Sequence, residues 1–264
     1  MKKNYIKKLL KNKQPIAVPE INRIFAPEII ELLGNIGYKC LWIDMEHSKL
    51  SYDCLSTLLI ASRVSKMDVV IRISKGNYSS IIKPLELGAS GLVLPHCMSA
   101  NEAREFVRMA KFTPLGLRCI GAGIDSDYGF NNLKNYIKSA NREILLMVQI
   151  EDKEAIEEID DIASIKGIDG LFIGPTDLSQ SLNVLGDFKN PKIMEIYEKV
   201  NNACKKNNKF WGVPAGEPGE IIQDLLTMGA QFINISSPIN VIYRTYTKYL
   251  EDLSKQFGRF FKEK

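Results

Sequence analysis

Two short apolar runs in this chain end in a carboxylate: Gln149-Ile-Glu151, and Gly170-Leu-Phe-Ile-Gly-Pro-Thr-Asp-Leu178, which carries Asp177. A buried strand that stops at an acid leaves that acid at a sheet rim, within reach of a metal or a substrate. Gln149 precedes Glu151 by two residues, so both side chains can point to one side of a strand. Two carboxylates and an amide form a hard-oxygen donor set. It suits Mg2+ or Mn2+, which take one or two protein carboxylates and leave other positions to water and substrate. Singly, Glu151 reads as an acid at the start of the following helix and Asp177 as a helix cap. Together with Gln149 they favour the metal.

Other chemistry-bearing residues stand near similar strand ends. Asp44-Met45-Glu46-His47 follows an apolar run, and His47 is one of two histidines in the chain. As a general base it needs a partner to fix its tautomer, and Asp44 or Glu46 can serve. Arg72 interrupts the apolar stretch Val69 to Ile73. A guanidinium there requires an anion: an internal pair with Asp44 or Glu46, a substrate oxygen developing negative charge, or both. His96 reads as a packed or supporting side chain rather than a catalyst. Arg118, in a long connection, is a further candidate for an anion contact.

Those residues must be positioned by a repeated unit. Candidate strands are Ile16 to Val18, Cys40 to Ile43, Val69 to Ile73, Gly91 to Leu94, Ile144 to Ile150, Gly170 to Ile173, Phe210 to Val213 and Phe232 to Ile235. Helical spacing marks Ala26 to Leu33, Tyr52 to Val64, Ala100 to Ala110, Lys153 to Ile162, Ile193 to Lys206 and Glu217 to Thr227. Gly37, Gly88, Gly167 and Gly229 each fall just past a helix, at the left-handed cap position. Strand and helix alternating eight times, in runs apolar throughout, predicts a single (β/α)8 TIM barrel over residues 1–264, with active-site residues at the carboxyl ends of its strands. The connection from Phe112 to Arg142 is long enough to be functional and is expected over the catalytic face. The tail after Pro238 reads as an amphipathic helix with oligomer contacts.

Composition narrows the class. The chain has 264 residues, 45% hydrophobic and 25% charged, with a net charge of +4, which describes an ordinary soluble globular protein. Basic residues sit partly at the ends, at Lys2, Lys3, Lys7, Lys8, Lys262 and Lys264. Without interleaved aromatics they read as solvated terminal helices, not as a nucleic-acid or membrane surface. Five cysteines without a Cys-x-x-Cys pair argue against a disulfide framework and a zinc site. No apolar run suits a signal peptide or a membrane span, so a cytoplasmic protein is expected.

Trp42-Ile-Asp-Met-Glu-His47, Val70-Ile-Arg72, Gln149-Ile-Glu151 and Gly170-Leu-Phe-Ile-Gly-Pro-Thr-Asp-Leu-Ser179 resemble, in order and spacing, the motifs of the HpcH/HpaI aldolases, class II pyruvate-dependent enzymes. The likeness runs from about residue 14 to 240, and Arg118-Cys-Ile-Gly121 is similar to that family's Arg-Gly-Val-Gly loop. The resemblance implies a divalent metal, Mg2+ or Mn2+ with Co2+ as a further candidate, held by Glu151 and Asp177. It implies that backbone amides from Gly174 through Thr176 to Asp177 hold the pyruvate carboxylate, with Gln149 as an outer contact. Arg72 would stabilise the enolate oxygen, and a His47–Asp44 dyad would move protons. The implied reaction cleaves or forms a 4-hydroxy-2-oxo acid, giving pyruvate and an aldehyde. A homo-oligomer is implied, a hexamer built as a trimer of dimers through exchanged C-terminal helices. Segment Ala17 to Asn22, Cys119 and the stretch Gly212 to Pro218 differ from the family's usual sequence and shape the aldehyde side. Competing readings are a citryl- or malyl-thioester lyase, an oxaloacetate decarboxylase, and a barrel without catalysis.

Overall fold

Alternate residues of a strand point to opposite faces, and in a closed barrel one set fills the interior while the other meets the helices. That division governs this chain. In a computed structural model, which describes residues 3–258, eight parallel strands close into one barrel in sequential order, β1 to β8. They are β1 Ile16–Ile21, β2 Cys40–Asp44, β3 Asp68–Arg72, β4 Gly91–Leu94, β5 Leu145–Ile150, β6 Gly170–Ile173, β7 Phe210–Gly216 and β8 Phe232–Ile235. The helices are α1 Tyr5–Lys11, α2 Pro27–Ile36, α3 Tyr52–Val64, α4 Tyr78–Glu86, α5 Ala100–Ala110, α6 Leu133–Glu143, α7 Lys153–Glu157, α8 Ile159–Ser164, α9 Pro175–Ser181, α10 Pro191–Lys206, α11 Glu220–Met228 and α12 Pro238–Phe257.

Two apolar cores result. The inner one contains Val18, Cys40, Trp42, Val70, Val93, Leu145, Met147, Phe172, Phe210 and Phe232, closed at the amino-terminal mouth by Ile6 and Leu10 of α1. Trp42 and Phe172 rings lie 4.7 Å apart at its centre. The outer core packs helices against the other strand face, with Leu41, Ile43, Ile71, Leu146, Val148, Ile150 and Ile173 among its buried residues. Moving two residues on from the inner core reaches polar side chains: Val18 leads to Glu20, Trp42 to Asp44, Val70 to Arg72, and Met147 to Gln149 and Glu151. One side-chain parity thus supplies both the apolar plug and the polar residues above it.

Several boundaries differ from expectation. β1 continues past Pro19, because Glu20 and Ile21 pair with Trp42 and Ile43. The helix expected over Lys153 to Ile162 breaks at Glu158, whose carboxylate accepts the Ala100 N–H at 2.7 Å. The four glycines Gly37, Gly88, Gly167 and Gly229 all adopt positive φ. The Phe112–Arg142 connection follows α5 and so leaves from the amino-terminal side, running along α4 rather than over the catalytic mouth. Its Gly121 and Gly123 lie against Glu86, and the Cys119 N–H donates to Tyr78 Oη at 2.7 Å. Within it Arg118 is fully buried, paired with Asp125 at 2.6 Å and stacked on Phe112, which removes it from anion binding at the mouth.

The terminal lysines also divide. Lys7 is buried, not solvated: it pairs with Asp169 at 2.9 Å. Lys2, Lys262 and Lys264 lie outside the described residues. All five cysteines are free thiols. Among the described residues no helix is long and apolar enough to cross a membrane.

Candidate active site

At the carboxyl mouth the neighbouring strands β2 and β3 place Asp44 directly opposite Arg72. Arg72 Nε and Nη2 donate to the two Asp44 oxygens at 2.9 and 2.8 Å, a bidentate pair that fixes the planar guanidinium. The Asp44 side chain is 2% exposed and that of Arg72 14%. Trp42 supports the guanidinium from below, 5.8 Å from ring centre to Cζ. Burial works against the Arg72 charge, but the hydrogen bonds and charge of Asp44 outweigh it and raise its pKa. Glu46 adds a second contact to Arg72 Nε at 3.3 Å.

Asp44 is therefore committed to Arg72. His47 meets Asp44 only through a backbone N–H at 3.5 Å, whereas its imidazole Nε2 lies 3.6 Å from Glu46 Oε2 and is largely exposed. The side-chain dyad expected between His47 and Asp44 is not formed, because the facing arginine takes both oxygens of the acid. The structure pairs His47 with Glu46 instead. Beside them a cavity of about 450 Å3 is lined by Asn22, Arg23, Phe25, Glu46, His47 and Lys49, among others.

Glu151 stands just past β5 and is 1% exposed. Its Oε1 accepts the His96 N–H at 2.7 Å, and its Oε2 accepts from Gln149 Nε2 at 2.5 Å. His96 reaches this position with φ +44, a left-handed conformation at the end of the β4 loop that aims its amide at the acid. Burial raises the Glu151 pKa, offset in part by that amide and by the nearby imidazole. Gln149 Oε1 is buried with no hydrogen-bond partner. Gly174 closes the other side: a Cβ there would collide with Glu151 Oε2 and come within 2.8 Å of Gln149 Nε2. A larger residue at this position would push the Glu151 carboxylate and the Gln149 amide aside.

The sequence predicts a supporting role for His96 and none for Asp152, and it marks Glu20 only as part of the segment Ala17 to Asn22. His96 Nδ1 lies 3.1 Å from Asp152 and 3.6 Å from Glu151, while its Nε2 lies 3.8 Å from Glu46. One ligand atom from each of His96, Glu151 and Asp152 falls within 4.8 Å of the others. Burial depresses the His96 pKa, but Asp152 and the other acids reverse this and raise it. Glu20 is half-buried and its pKa is raised by burial and then by Asp44. Asp177 occupies the first turn of α9 and is half-buried, Gly174 caps that helix, and exposed Thr176 lies between them. These positions put every expected site residue at one mouth, on or just beyond β2, β3, β5 and β6.

A closed parallel barrel with its acids gathered beyond the strand ends defines an α/β-barrel enzyme scaffold. The chain belongs to the HpcH/HpaI aldolase/citrate lyase family, whose model matches residues 24–236. It is 34% identical over 215 residues to a hydroxypyruvate/pyruvate aldolase of Roseobacter denitrificans, covering 81% of this chain and 84% of that one. Identity is also 34%, over 205 residues, to a 2-keto-3-deoxy-L-rhamnonate aldolase of Klebsiella pneumoniae, covering 78% and 76%. The crystal structure of an HpcH/HpaI aldolase from Desulfitobacterium hafniense superposes with a TM-score of 0.90 at 28% identity, covering 95% of this chain and 97% of that one. The named relatives are aldolases, that is, carbon–carbon lyases.

Proposed function

We propose that this protein is a divalent-metal-dependent aldolase that joins pyruvate to an aldehyde, or cleaves the corresponding 4-hydroxy-2-oxo acid. The observation that carries the reading is Glu151. It is a buried carboxylate whose charge burial opposes, packed so closely on Gly174 that a Cβ there would displace it. A buried acid of this kind is stabilised by a cation. The donors are oxygens: Glu151, Asp177 of the next strand end, and the unpartnered Gln149 Oε1. They fit Mg2+ or Mn2+, with Co2+ as an alternative, and Glu151 and Asp177 are the proposed ligands. When bound, such an ion neutralises charge on the 2-oxo acid and acidifies its methyl group.

The chain's own residues supply the remaining roles. Of the backbone N–H groups expected to hold the pyruvate carboxylate, that of Gly174 donates to Ile150 O at 3.1 Å, which leaves those of Thr176 and Asp177, in the first turn of α9, for this role. Arg72, held in one orientation by Asp44, presents its guanidinium to the keto oxygen and stabilises the enolate charge. His47, exposed beside Glu46, carries the proton to and from the aldehyde oxygen, with the adjoining cavity as the acceptor site. In this arrangement Asp44 acts through Arg72. The acceptor is a small aldehyde, and no nucleic acid or membrane takes part.

The exposed apolar face of α12, including Ile242, Tyr246, Tyr249 and Leu250, supports a homo-oligomer, for which the family resemblance suggests a hexamer. A cytoplasmic location accords with the five free thiols.

Isothermal titration with Mn2+ tests the metal assignment. Wild type is expected to bind one ion per chain, with affinity reduced at least about hundredfold in Glu151→Gln and Asp177→Asn. Unchanged affinity in either variant removes that residue from the ligand set.

A further inference from the structure

A second charged site lies at the opposite mouth. A cavity of about 750 Å3 opens where residues preceding β1, β6, β7 and β8 meet the ends of α1 and α10. Six lysines line it, Lys7, Lys11, Lys13, Lys166, Lys205 and Lys209, and Asp169 is the one carboxylate among its lining residues. The local excess of five positive charges exceeds the +4 of the whole chain.

Helices of a barrel run antiparallel to its strands, so their carbonyl ends gather at this mouth and attract lysines. That accounts for some of them. Lys7 Nζ donates to Ile144 O at 2.9 Å and to Asp169, and Lys209 Nζ donates to Ile165 O and Ile168 O at 2.6 Å. Lys11, Lys13, Lys166 and Lys205 are exposed and have no carboxylate or carbonyl partner among the described residues.

Burial, and then the charge of Lys7, lowers the pKa of nearby Lys111 to about 7. Lys209 is lowered as well, by burial, against the opposing charge of Asp169 and with only a small contribution from Lys7. One wall is apolar, formed by Leu10, Pro15 and Leu226.

We infer that this cavity binds a small organic polyanion carrying two or more phosphate groups. Its volume falls within the usual range for small-molecule sites. The four unpartnered lysines meet the phosphates, the wall of Leu10, Pro15 and Leu226 meets the organic part, and the bound charge relieves repulsion among the lysines. The inference is independent of the aldolase reading, because the two sites lie at opposite ends of the barrel.

Calorimetric titration and thermal unfolding with inorganic pyrophosphate, fructose 1,6-bisphosphate and ATP test it, at low ionic strength and constant free Mg2+. Saturable binding of one molecule per chain is expected, accompanied by a rise in melting temperature. ATP or the sugar bisphosphate is expected to bind tighter than pyrophosphate, through its organic part; equal affinities overturn the contact with Leu10, Pro15 and Leu226. In the combined variant Lys11→Gln, Lys13→Gln, Lys166→Gln and Lys205→Gln the affinity falls roughly ten- to hundredfold, because each exposed charge contact is worth a few-fold. Glu151→Gln leaves it unchanged. Absence of saturable binding by all three probes at millimolar concentration overturns the inference. So does binding that survives in the lysine variant while that variant keeps the wild-type fold by circular dichroism, or binding that is lost in Glu151→Gln.

Discussion

The two mouths of this barrel are electrostatic opposites. At the carboxyl mouth Glu20, Asp44, Glu46, Glu151, Asp152 and Asp177 face four cations, Arg23, Lys49, Arg72 and Lys75. At the amino-terminal mouth six lysines line a cavity with Asp169 as its acid. Burial and like-charge neighbours act on both, with opposite sign: Glu20, Glu46 and Glu151 are raised, and Lys111 and Lys209 are lowered. Each mouth carries a surplus that a ligand of the other charge relieves. The difference lies in how tightly the surplus is built in. Asp44 and Glu151 are fixed by hydrogen bonds to Arg72, to Gln149 and to the His96 amide, whereas four of the lysines sit on exposed ends.

If that contrast holds, disturbing the carboxyl mouth has the larger effect. Gly174→Ala places a methyl group against Glu151 and Gln149 without touching either ligand chemically. Metal affinity is expected to fall about 10- to 100-fold, in the manner of lost supporting contacts, with the melting temperature little changed. Mn2+ titration checks this, and wild-type affinity in the alanine variant shows that the close approach of β6 to β5 is not needed for the ion.

At the other mouth the expected effect is smaller and depends on pH. Lys111 is buried, with Nζ donating to Asn141 O at 3.1 Å and to Ile144 O at 2.5 Å, and titrates at about 7 against 10.5 for an ordinary lysine. Between those values the unfolded chain holds a proton that the folded one lacks. The Lys111 contribution therefore makes unfolding free energy rise with pH, by up to about 1.4 kcal/mol per unit, and it levels off below pH 7. Urea denaturation at pH 7 and 8.5 is expected to show this slope in wild type and a shallower one in Lys111→Met. Equal slopes place the Lys111 titration outside that window.

The same contrast explains what was legible in the sequence. The sequence predicts β4, β6 and β8 with the ends the structure shows, because β4 and β6 are uninterrupted apolar runs bounded by turn residues and β8 is broken only by Asn234. Polar and charged residues inside or at the end of such runs are conspicuous, which is why Arg72, Gln149 and Glu151 stand out. Other features depend on tertiary contact. α4 contains Pro84, and α6 is largely polar along its length, so neither showed the pattern of a core helix. Glu20 lay beyond Pro19, which concealed the continuation of β1. The role of His96 rests on a left-handed backbone and on acids from β5, 55 and 56 positions along the chain. The exchange of partners between Asp44 and His47 follows from strand register, which places Asp44 across from Arg72. The lysine cavity is the least legible, since its six lysines come from three separate segments.

The most direct test of the central reading follows the methyl protons of pyruvate in deuterated water by NMR, with Mg2+ or Mn2+ and then with chelator. Exchange into the methyl group that requires the metal, stops on chelation and is lost in Glu151→Gln is the predicted result. Absence of exchange in folded, metal-loaded protein, or exchange that continues undiminished with chelator present, contradicts it.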